Sequence, residues 1–206
     1  MALRKEPFHL DPSIEPLDPD EVYQVQLASG RIMPAAAFGT FHSDWAQEHM
    51  EDATVEAIRL GWRHIDTARA YENEEVVGEA IRRSIREGYI SSAEDLFITG
   101  KLWNGHMNPK DVAPACDATL NALGVEQIDM YLNHWPWPNV HTPGCAGEHR
   151  NPDAVPYIHE AFMDTWGEIC KLQKAGKVVD IGTSNHTEAT MKLLLKDVSE
   201  NERPVL

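Results

Sequence analysis

Apolar and polar positions follow two alternating periods along the chain after about residue 22. Alternation over residues 22–27, a turn at Ser29–Gly30 and the apolar pair that follows at residues 32–33 predict a short hairpin over residues 22–33. Beyond it, short apolar runs recur between stretches whose apolar residues are spaced three and four apart, as on one face of a helix. The runs predict strands over residues 35–38, 63–66, 96–99, 128–132 and 178–181.

Each predicted strand is followed by a helical pattern, over residues 51–60, 74–87, 108–123 and 159–175 and after the capping residue Thr187. Strand and helix in regular alternation indicate parallel strands joined by right-handed crossovers. Two architectures fit this pattern: an open flavodoxin-like sheet, or part of an eightfold barrel that continues with the strand expected to begin at residues 203–206.

The remaining segments lack either period. Residues 1–20 are rich in proline and acidic residues, so an irregular N-terminal extension is predicted there, followed by one domain over residues 21–206. A second proline-rich stretch, residues 133–156, is predicted to be a long loop. Loops of that length in compact domains usually carry function.

Composition limits the partners that the protein is expected to have. The 206 residues are 42% hydrophobic and carry 18 Lys and Arg against 33 Asp and Glu, for a net charge of −15. An acidic surface repels phosphate backbones and anionic lipid heads, so neither nucleic acid nor a membrane is expected as a partner. Widely spaced Cys116, Cys145 and Cys170 and the lack of an apolar leader indicate reduced thiols and a cytoplasmic location.

Polar residues follow the predicted strands at their carboxyl ends, where parallel α/β folds bind ligands. They are Asp66, Lys101, His134 and residues 183–185, with Tyr71 five positions beyond Asp66. Each of them alone is more often a helix cap, a solvated charge or a packed side chain. A carboxylate, a phenol, an amine and an imidazole at one edge of a sheet favour a catalytic site.

These four groups make a plausible proton-transfer device. A tyrosine hydroxyl has a pKa of about 10, and a nearby ammonium group stabilises the phenolate. Lys101 can serve Tyr71 in this way, Asp66 would hold Lys101, and His134 could hydrogen-bond a substrate oxygen. Reduction of a carbonyl to an alcohol is the natural reaction if a hydride donor lies alongside.

Several stretches resemble, in order, those of the aldo-keto reductases: residues 30–34 with 38–41, 61–74, 96–103, 130–136 and 181–185. The resemblance implies a (β/α)8 TIM barrel with an N-terminal β-hairpin, of which this chain contains five to six units. It also implies NADPH-dependent reduction of an aldehyde or ketone, with a sugar-type aldehyde as one candidate. NADPH rests on the resemblance alone, and NADH stays open.

The resemblance also implies roles for individual residues. The catalytic positions match Tyr71 as general acid, Lys101 and Asp66 as its tuning pair, and His134 as the residue that orients the carbonyl. The cofactor positions match Thr40 and Asp66 beside the nicotinamide ribose, and Ser184 and Asn185 at its carboxamide. The substrate pocket positions match Phe41, Trp103 and Trp135.

The chain departs from the family at Phe41, Gly100, Asn133 and Thr183, where Trp, Ser, Ile and Val are frequent. The first departure reshapes the substrate pocket, and none removes a catalytic residue. The family's last three strands, its pyrophosphate loop and its basic residues for the adenosine 2′-phosphate have no counterpart here. A chain that lacks the C-terminal third of an aldo-keto reductase is therefore expected.

Two other functions stay open: a nucleotide-binding regulatory barrel without turnover, and an inactive truncated fragment. Glycine-rich dinucleotide, P-loop and HExxH motifs are absent from the sequence, and His141, His149 and His159 lack metal-ligand spacing, so no metal is expected. The expected partner is a small carbonyl substrate, and the protein is expected to be a monomer.

Overall fold

The computed structural model describes residues 13–42, 47–137 and 157–206. An antiparallel hairpin comes first, formed by β1 (Gln24–Gln26) and β2 (Ile32–Pro34). The parallel strands that follow are β3 (Phe38–Gly39), β4 (His64–Asp66), β5 (Phe97–Leu102), β6 (Ile128–Asn133) and β7 (Val178–Thr183). The helices are α1 (Met50–Arg59), α2 (Glu74–Arg86), α3 (Pro109–Leu123), α4 (His159–Lys174) and α5 (Glu188–Asp197).

The five parallel strands lie side by side in the order β3-β4-β5-β6-β7, which is their order along the chain. A flavodoxin-like sheet reverses its strand order at a switch point, whereas a (β/α)8 barrel adds each new strand beside the previous one. The strand order therefore excludes the open doubly wound alternative and agrees with the barrel. No helix within the described ranges is both long enough and apolar enough to cross a membrane.

Alternate residues of the strands pack on opposite sides of the sheet. On the outer side, Ile65 and Ile98 pack with Val77 and Ile81 of α2. On the inner side, a second cluster joins the sheet to the hairpin through Leu27, Met33, Phe97, Met130 and Leu132. Full burial of each such side chain stabilises the fold by about 1.5–3 kcal/mol, so the hairpin is part of the core.

Charged groups also hold the hairpin on the inner side of the sheet. Arg31 donates to Asp129 Oδ1 at 2.7 Å and to Asp180 Oδ2 at 3.3 Å, and its guanidinium lies 5.4 Å from the Phe97 ring centroid. Asp180 is almost fully buried. Arg31 therefore neutralises a buried carboxylate while attaching the hairpin to β6 and β7.

The start of the chain also contacts this domain. The amide of Leu17 donates to the carbonyl of Leu60 at 3.1 Å. At Gly61, with φ 98°, a Cβ would collide with the carbonyl oxygen of Leu17. Leu17 of the predicted extension thus contacts the end of α1, although residues 13–20 are largely exposed, and residues 1–12 lie outside the described residues.

Three of the parallel strands differ from their predicted bounds by two residues or more. One is β7, which continues to Thr183 instead of ending at Ile181, so Thr183 lies inside the strand rather than after it. The strand predicted over residues 35–38 is β3 at Phe38–Gly39, because Ala35 still belongs to the hairpin and donates its amide to the Tyr23 carbonyl at 2.8 Å. β5 continues to Leu102 instead of ending at Thr99, so Lys101 lies inside the strand rather than after it.

The end of the described chain pairs with β7. The amide of Val205 donates to the carbonyl of Ile181, and the amide of Thr183 donates to the carbonyl of Leu206, each at 2.9 Å. These two bonds place residues 205–206 beside β7, where the sixth strand is expected, but residues 203–206 do not form a strand and the described sheet has five.

Two of the three cysteines, Cys116 and Cys170, are free and buried in the helical layer. Burial raises the pKa of Cys116 to about 12 and that of Cys170 to about 11, so both are protonated thiols at neutral pH. Cys145 lies outside the described residues.

Candidate active site

Lys101 lies at the centre of a cluster of polar groups at the carboxyl ends of β4 and β5. Its ammonium nitrogen donates to Asp66 Oδ1 at 2.5 Å, to the Thr67 carbonyl at 3.0 Å and to the Tyr71 hydroxyl at 3.2 Å. The same nitrogen lies 4.9 Å from the centroid of the Tyr71 ring. The structure therefore brings together the carboxylate, the amine and the phenol that are predicted to form the site.

Strand register explains why these side chains meet. Asp66 is the last residue of β4 and lies opposite Thr99 of β5, two residues before Lys101 on the same face. Lys101 is buried, whereas the Asp66 side chain is 30% exposed. A buried ammonium is costly unless it is paired and hydrogen-bonded, and its three acceptors satisfy that need.

His134 completes the cluster from β6. Its amide donates to the Leu102 carbonyl at 3.1 Å, which continues the ladder one residue beyond the end of the strand. The imidazole lies edge-to-face with Tyr71 at 5.8 Å between ring centroids and with Trp103 at 5.3 Å. The imidazole ring therefore lies next to the phenol ring.

The loop that carries Tyr71 is anchored on both sides. Tyr71 ends a 3-10 turn after β4, and the next residue, Glu72, has a left-handed backbone with φ 54°. Asn73 is buried and donates its side-chain amide to the Thr40 carbonyl at 2.7 Å. Glu74 is buried as well and accepts from Thr119 at 2.8 Å and from Arg69 at 3.2 Å.

The sequence pattern does not predict the anchoring roles of Asn73 and Glu74, although both residues lie within three positions of the predicted catalytic tyrosine. Burial raises the pKa of Glu74, and its hydrogen bonds to Thr119 and Arg69 oppose that shift. A carboxylate at the start of α2 is also stabilised by the helix dipole. The chain thus fixes the Tyr71 loop against α3 without using any group of the cluster itself.

Thr40 lies against the backbone of Asp66. Its amide and its hydroxyl both donate to the Asp66 carbonyl, at 3.0 and 3.2 Å. The Thr40 side chain is fully buried in this arrangement. Its predicted place beside a nicotinamide ribose stays a prediction.

Ser184 and Asn185 follow β7 and lie next to His134. The Ser184 amide donates to the Asn133 carbonyl at 2.9 Å. The Asn185 side-chain amide donates to the His134 carbonyl at 2.8 Å and to Ser184 Oγ at 3.0 Å. The structure therefore places both residues beside the proposed catalytic histidine.

Aromatic residues surround the cluster. Phe41 is 65% exposed and lies edge-to-face with Tyr71 at 5.2 Å between centroids. Trp103 is buried, while Trp135 is half-buried with its ring near those of His134 and Trp137. The rings of the predicted pocket thus approach the cluster from three loops.

The long loop lies largely outside the described residues, which end at Trp137 and resume at Tyr157. His141 and His149 belong to that part. His159 uses both ring nitrogens in a chain of contacts, with the Tyr157 hydroxyl at 2.7 Å and Asp197 at 2.9 Å. Among the described residues, no group of three or more His, Cys, Asp or Glu is arranged to hold a metal ion.

Curated proteins similar to this chain are carbonyl reductases by name. It is 36% identical over 162 residues to chicken (Gallus gallus) aldo-keto reductase family 1 member A1, covering 78% of this chain and 48% of the relative. This chain is also 36% identical over 166 residues to the D/L-glyceraldehyde reductase of Hypocrea jecorina, covering 79% of this chain and 49% of the relative. The chain spans about half the length of the curated relatives it matches.

Solved structures and the family comparison agree with these relatives. An aldo-keto reductase of Bombyx mori in complex with NADP superimposes with a TM-score of 0.77 at 31% identity, covering 89% of this chain and 56% of the other. The aldose reductase of Schistosoma japonicum superimposes with a TM-score of 0.76 at 32% identity, covering 89% of this chain and 59% of the other. Residues 35–203 match the aldo/keto reductase family. The chain therefore belongs to the aldo/keto reductase family, with the α/β barrel fold of its structural neighbours.

Proposed function

We propose that the protein to which this chain belongs reduces an aldehyde or a ketone to an alcohol, with Tyr71 donating the proton. The observation that carries the proposal is the contact of one buried ammonium, Lys101, with both a carboxylate and a phenol. Membership of the aldo/keto reductase family and the reductase names of its relatives support the reaction class.

The reaction adds a hydride to the carbonyl carbon and a proton to the oxygen. The Tyr71 hydroxyl gives up the proton and becomes a phenolate, and the Lys101 ammonium at 3.2 Å stabilises the negative charge. Asp66 holds Lys101 in place and balances its charge. The positive group is therefore in position before the reaction, and its reorganisation costs little.

His134 has the position needed to orient the substrate. Its imidazole and the Tyr71 ring meet edge-to-face, so both polar groups can reach one carbonyl oxygen between them. Two hydrogen bonds to that oxygen polarise the carbonyl and fix the direction of the proton transfer. Trp103 packs against His134, and Phe41 packs against Tyr71.

The residues beside the cluster fit a nicotinamide cofactor. A hydroxyl and a side-chain amide at the end of β7, Ser184 and Asn185, offer the donors and acceptors that a primary carboxamide needs. Thr40 and Asp66 would flank the ribose. When bound, NADPH or NADH supplies the hydride. The Bombyx mori neighbour contains NADP, and a relative in Candida tropicalis is named an NAD(P)H-dependent D-xylose reductase.

A polyhydroxylated aldehyde of sugar type is the proposed substrate class. Two of the relatives are named for reduction of glyceraldehyde and xylose, which are such compounds. Phe41, Trp103 and Trp135 would contact the substrate. The exposed ring of Phe41 provides less area than the tryptophan frequent at this position, which leaves room for a hydrated substrate.

The test is loss of NADPH absorbance by the full-length protein across a panel of sugar aldehydes, uronates, simple aldehydes and ketones. Turnover of at least one member of the panel is the expected result. Quenching of protein fluorescence by NADPH without turnover would instead indicate the regulatory barrel. A full-length protein that shows neither quenching nor turnover would contradict the proposal, and loss of both in the 206-residue chain alone would favour the inactive fragment.

We also propose that the protein is a cytoplasmic monomer that binds neither nucleic acid nor membranes. Its net charge of −15 and the two buried free thiols, Cys116 and Cys170, support this proposal. Size-exclusion chromatography with light scattering tests the monomer, for which a single species of monomer mass is expected. A stable dimer would contradict it.

A further inference from the structure

Three consecutive residues after β7 are each bonded to the end of β6. The Ser184 amide donates to the Asn133 carbonyl at 2.9 Å, and the Asn185 side chain donates to the His134 carbonyl at 2.8 Å. The third bond joins two side chains, His186 Nε2 and Asn133 Oδ1, at 3.3 Å. Because an amide oxygen can only accept, the imidazole Nε2 is the donor.

The side-chain bond lies between the sheet and the helices, away from the proposed catalytic groups. Asn133 is fully buried and pairs in register with Thr183 of β7. The His186 ring packs edge-to-face on Phe162 of α4 at 5.1 Å between centroids. Burial lowers the pKa of His186 to about 4, so at neutral pH the imidazole is uncharged and carries one N–H to donate.

This bond is the polar contact on which both side chains depend. Among the described residues, neither Asn133 Nδ2 nor His186 Nδ1 has a hydrogen-bond partner. A buried amide that loses its remaining bond has no compensation from water. The backbone around either residue must therefore adjust if the other is replaced by an apolar side chain.

The residue between the two anchors has an unusual backbone. Asn185 has φ 60°, in the left-handed region, which asparagine enters more readily than most residues other than glycine. The Ser184 amide fixes it on one side and the His186 ring on the other. Its side chain then reaches the His134 carbonyl.

We propose that His186 is a positioning residue, whose hydrogen bond to Asn133 fixes the backbone of Asn185 and thereby its side chain against His134. The consequence rests on the proposed function: the carboxamide-binding pair and the carbonyl-orienting histidine are held at one relative position. The nicotinamide and the carbonyl substrate would then be aligned by the His186–Asn133 hydrogen bond, although neither side chain contacts them.

Variants of the two partners separate this role from simple packing. His186→Phe keeps an aromatic ring against Phe162 and removes the donor, whereas His186→Gln keeps a donor. Asn133→Leu removes the acceptor with little change in volume. The double variant Asn133→Leu with His186→Phe replaces the polar pair by an apolar one. We expect its Ser184 amide exchange and its NADPH binding to be affected no more than in either single variant, because the effects of removing the two partners of one bond do not add.

The first measurement is hydrogen exchange of the Ser184 amide in the protein without ligands. We expect exchange to be at least tenfold faster in His186→Phe and in Asn133→Leu than in the wild type and in His186→Gln. The second is the dissociation constant for NADPH, by fluorescence quenching, together with kcat and KM. We expect about tenfold weaker binding and a lower kcat in the same two variants, and values within threefold of wild type in His186→Gln.

Unchanged exchange at Ser184 in His186→Phe would overturn the proposal, as would a fall in melting temperature with unchanged NADPH binding and kcat. Failure of the proposed function looks different. A wild type that neither binds NADPH nor reduces carbonyls, but whose Ser184 amide loses protection in His186→Phe, would contradict that function and support the link between the two strand ends.

Discussion

Lys101 and Asp66 form an ion pair at 2.5 Å between neighbouring parallel strands, with the ammonium buried and the carboxylate partly exposed. The buried partner depends on the exposed one, because water can solvate Asp66 but reaches little of Lys101. The same ammonium contacts the Tyr71 hydroxyl. The ion pair therefore contributes both to the stability of the fold and to the proposed proton transfer.

Replacing one member of this pair should cost more than replacing both. Asp66→Asn leaves the Lys101 ammonium without its counter-charge, and we expect the free energy of unfolding to fall by about 1–3 kcal/mol. Adding Lys101→Met should restore part of that loss. Urea unfolding of the two single variants and the double variant measures the coupling. Additive losses would show that the pair is not coupled.

Arg31 should contribute to stability through the hairpin. Arg31→Met leaves the buried carboxylate of Asp180 without its cation and detaches the hairpin from β6. We expect a loss of about 2–4 kcal/mol, with Arg31→Lys as the milder control because lysine keeps the charge but not the fork of donors. Equal stability of the Met variant and the wild type in urea would contradict this assignment.

At position 72, glycine should be tolerated better than any other substitution. Its φ of 54° is unfavourable for a side chain, and glycine adopts this conformation without steric cost. We expect Glu72→Gly to change stability by less than about 1 kcal/mol and Glu72→Val to destabilise by about 1–2 kcal/mol. Thermal unfolding compares the two. A more stable valine variant would show that the loop does not hold this backbone rigidly.

Acid should destabilise the fold through its buried histidines. Burial lowers the pKa of both His64 and His186, the latter to about 4 from an ordinary value of 6.5. Between these values the unfolded chain binds more protons than the folded one, so stability is complete above about pH 6.5 and decreases as pH falls toward 4.

His186→Gln removes one of these titrating groups. We expect the wild type to lose about 1–2 kcal/mol more than this variant between about pH 7.5 and pH 5, in urea unfolding at each pH. Parallel losses in the two proteins would contradict the assignment to His186. His64, held between the Pro34 carbonyl and the Thr99 hydroxyl, contributes to the acid loss in both proteins, because burial lowers its pKa as well.

Local signals were sufficient to predict much of this fold. The helix predicted over residues 108–123 is confirmed at Pro109–Leu123, with Asn108 as its cap and Gly124 at φ 71° after its end, and the predicted cap Thr187 is confirmed, because each depends on residues within one turn. The carboxyl end of β5 was placed too early because Gly100 and Lys101 interrupt the apolar run. Polar residues can continue a strand where its inner face opens onto a site.

The site was predictable only in part. Residues at the ends of strands converge once the strands are parallel, so Asp66, Lys101 and His134 could be found from position and chemistry. Contacts between side chains of distant segments, such as Asn133 with His186, depend on the register of β6 against β7. No local pattern in the sequence specifies that register.

The most direct measurement compares Tyr71→Phe with Tyr131→Phe in the full-length protein. Tyr131 is fully buried on the outer side of β6, and its hydroxyl has no hydrogen-bond partner among the described residues, which makes it the matched control. Each change removes one hydroxyl. We predict that Tyr71→Phe lowers kcat for carbonyl reduction by about 10²–10⁴-fold with NADPH binding within twofold, and that Tyr131→Phe keeps both. Normal turnover in Tyr71→Phe would contradict the account.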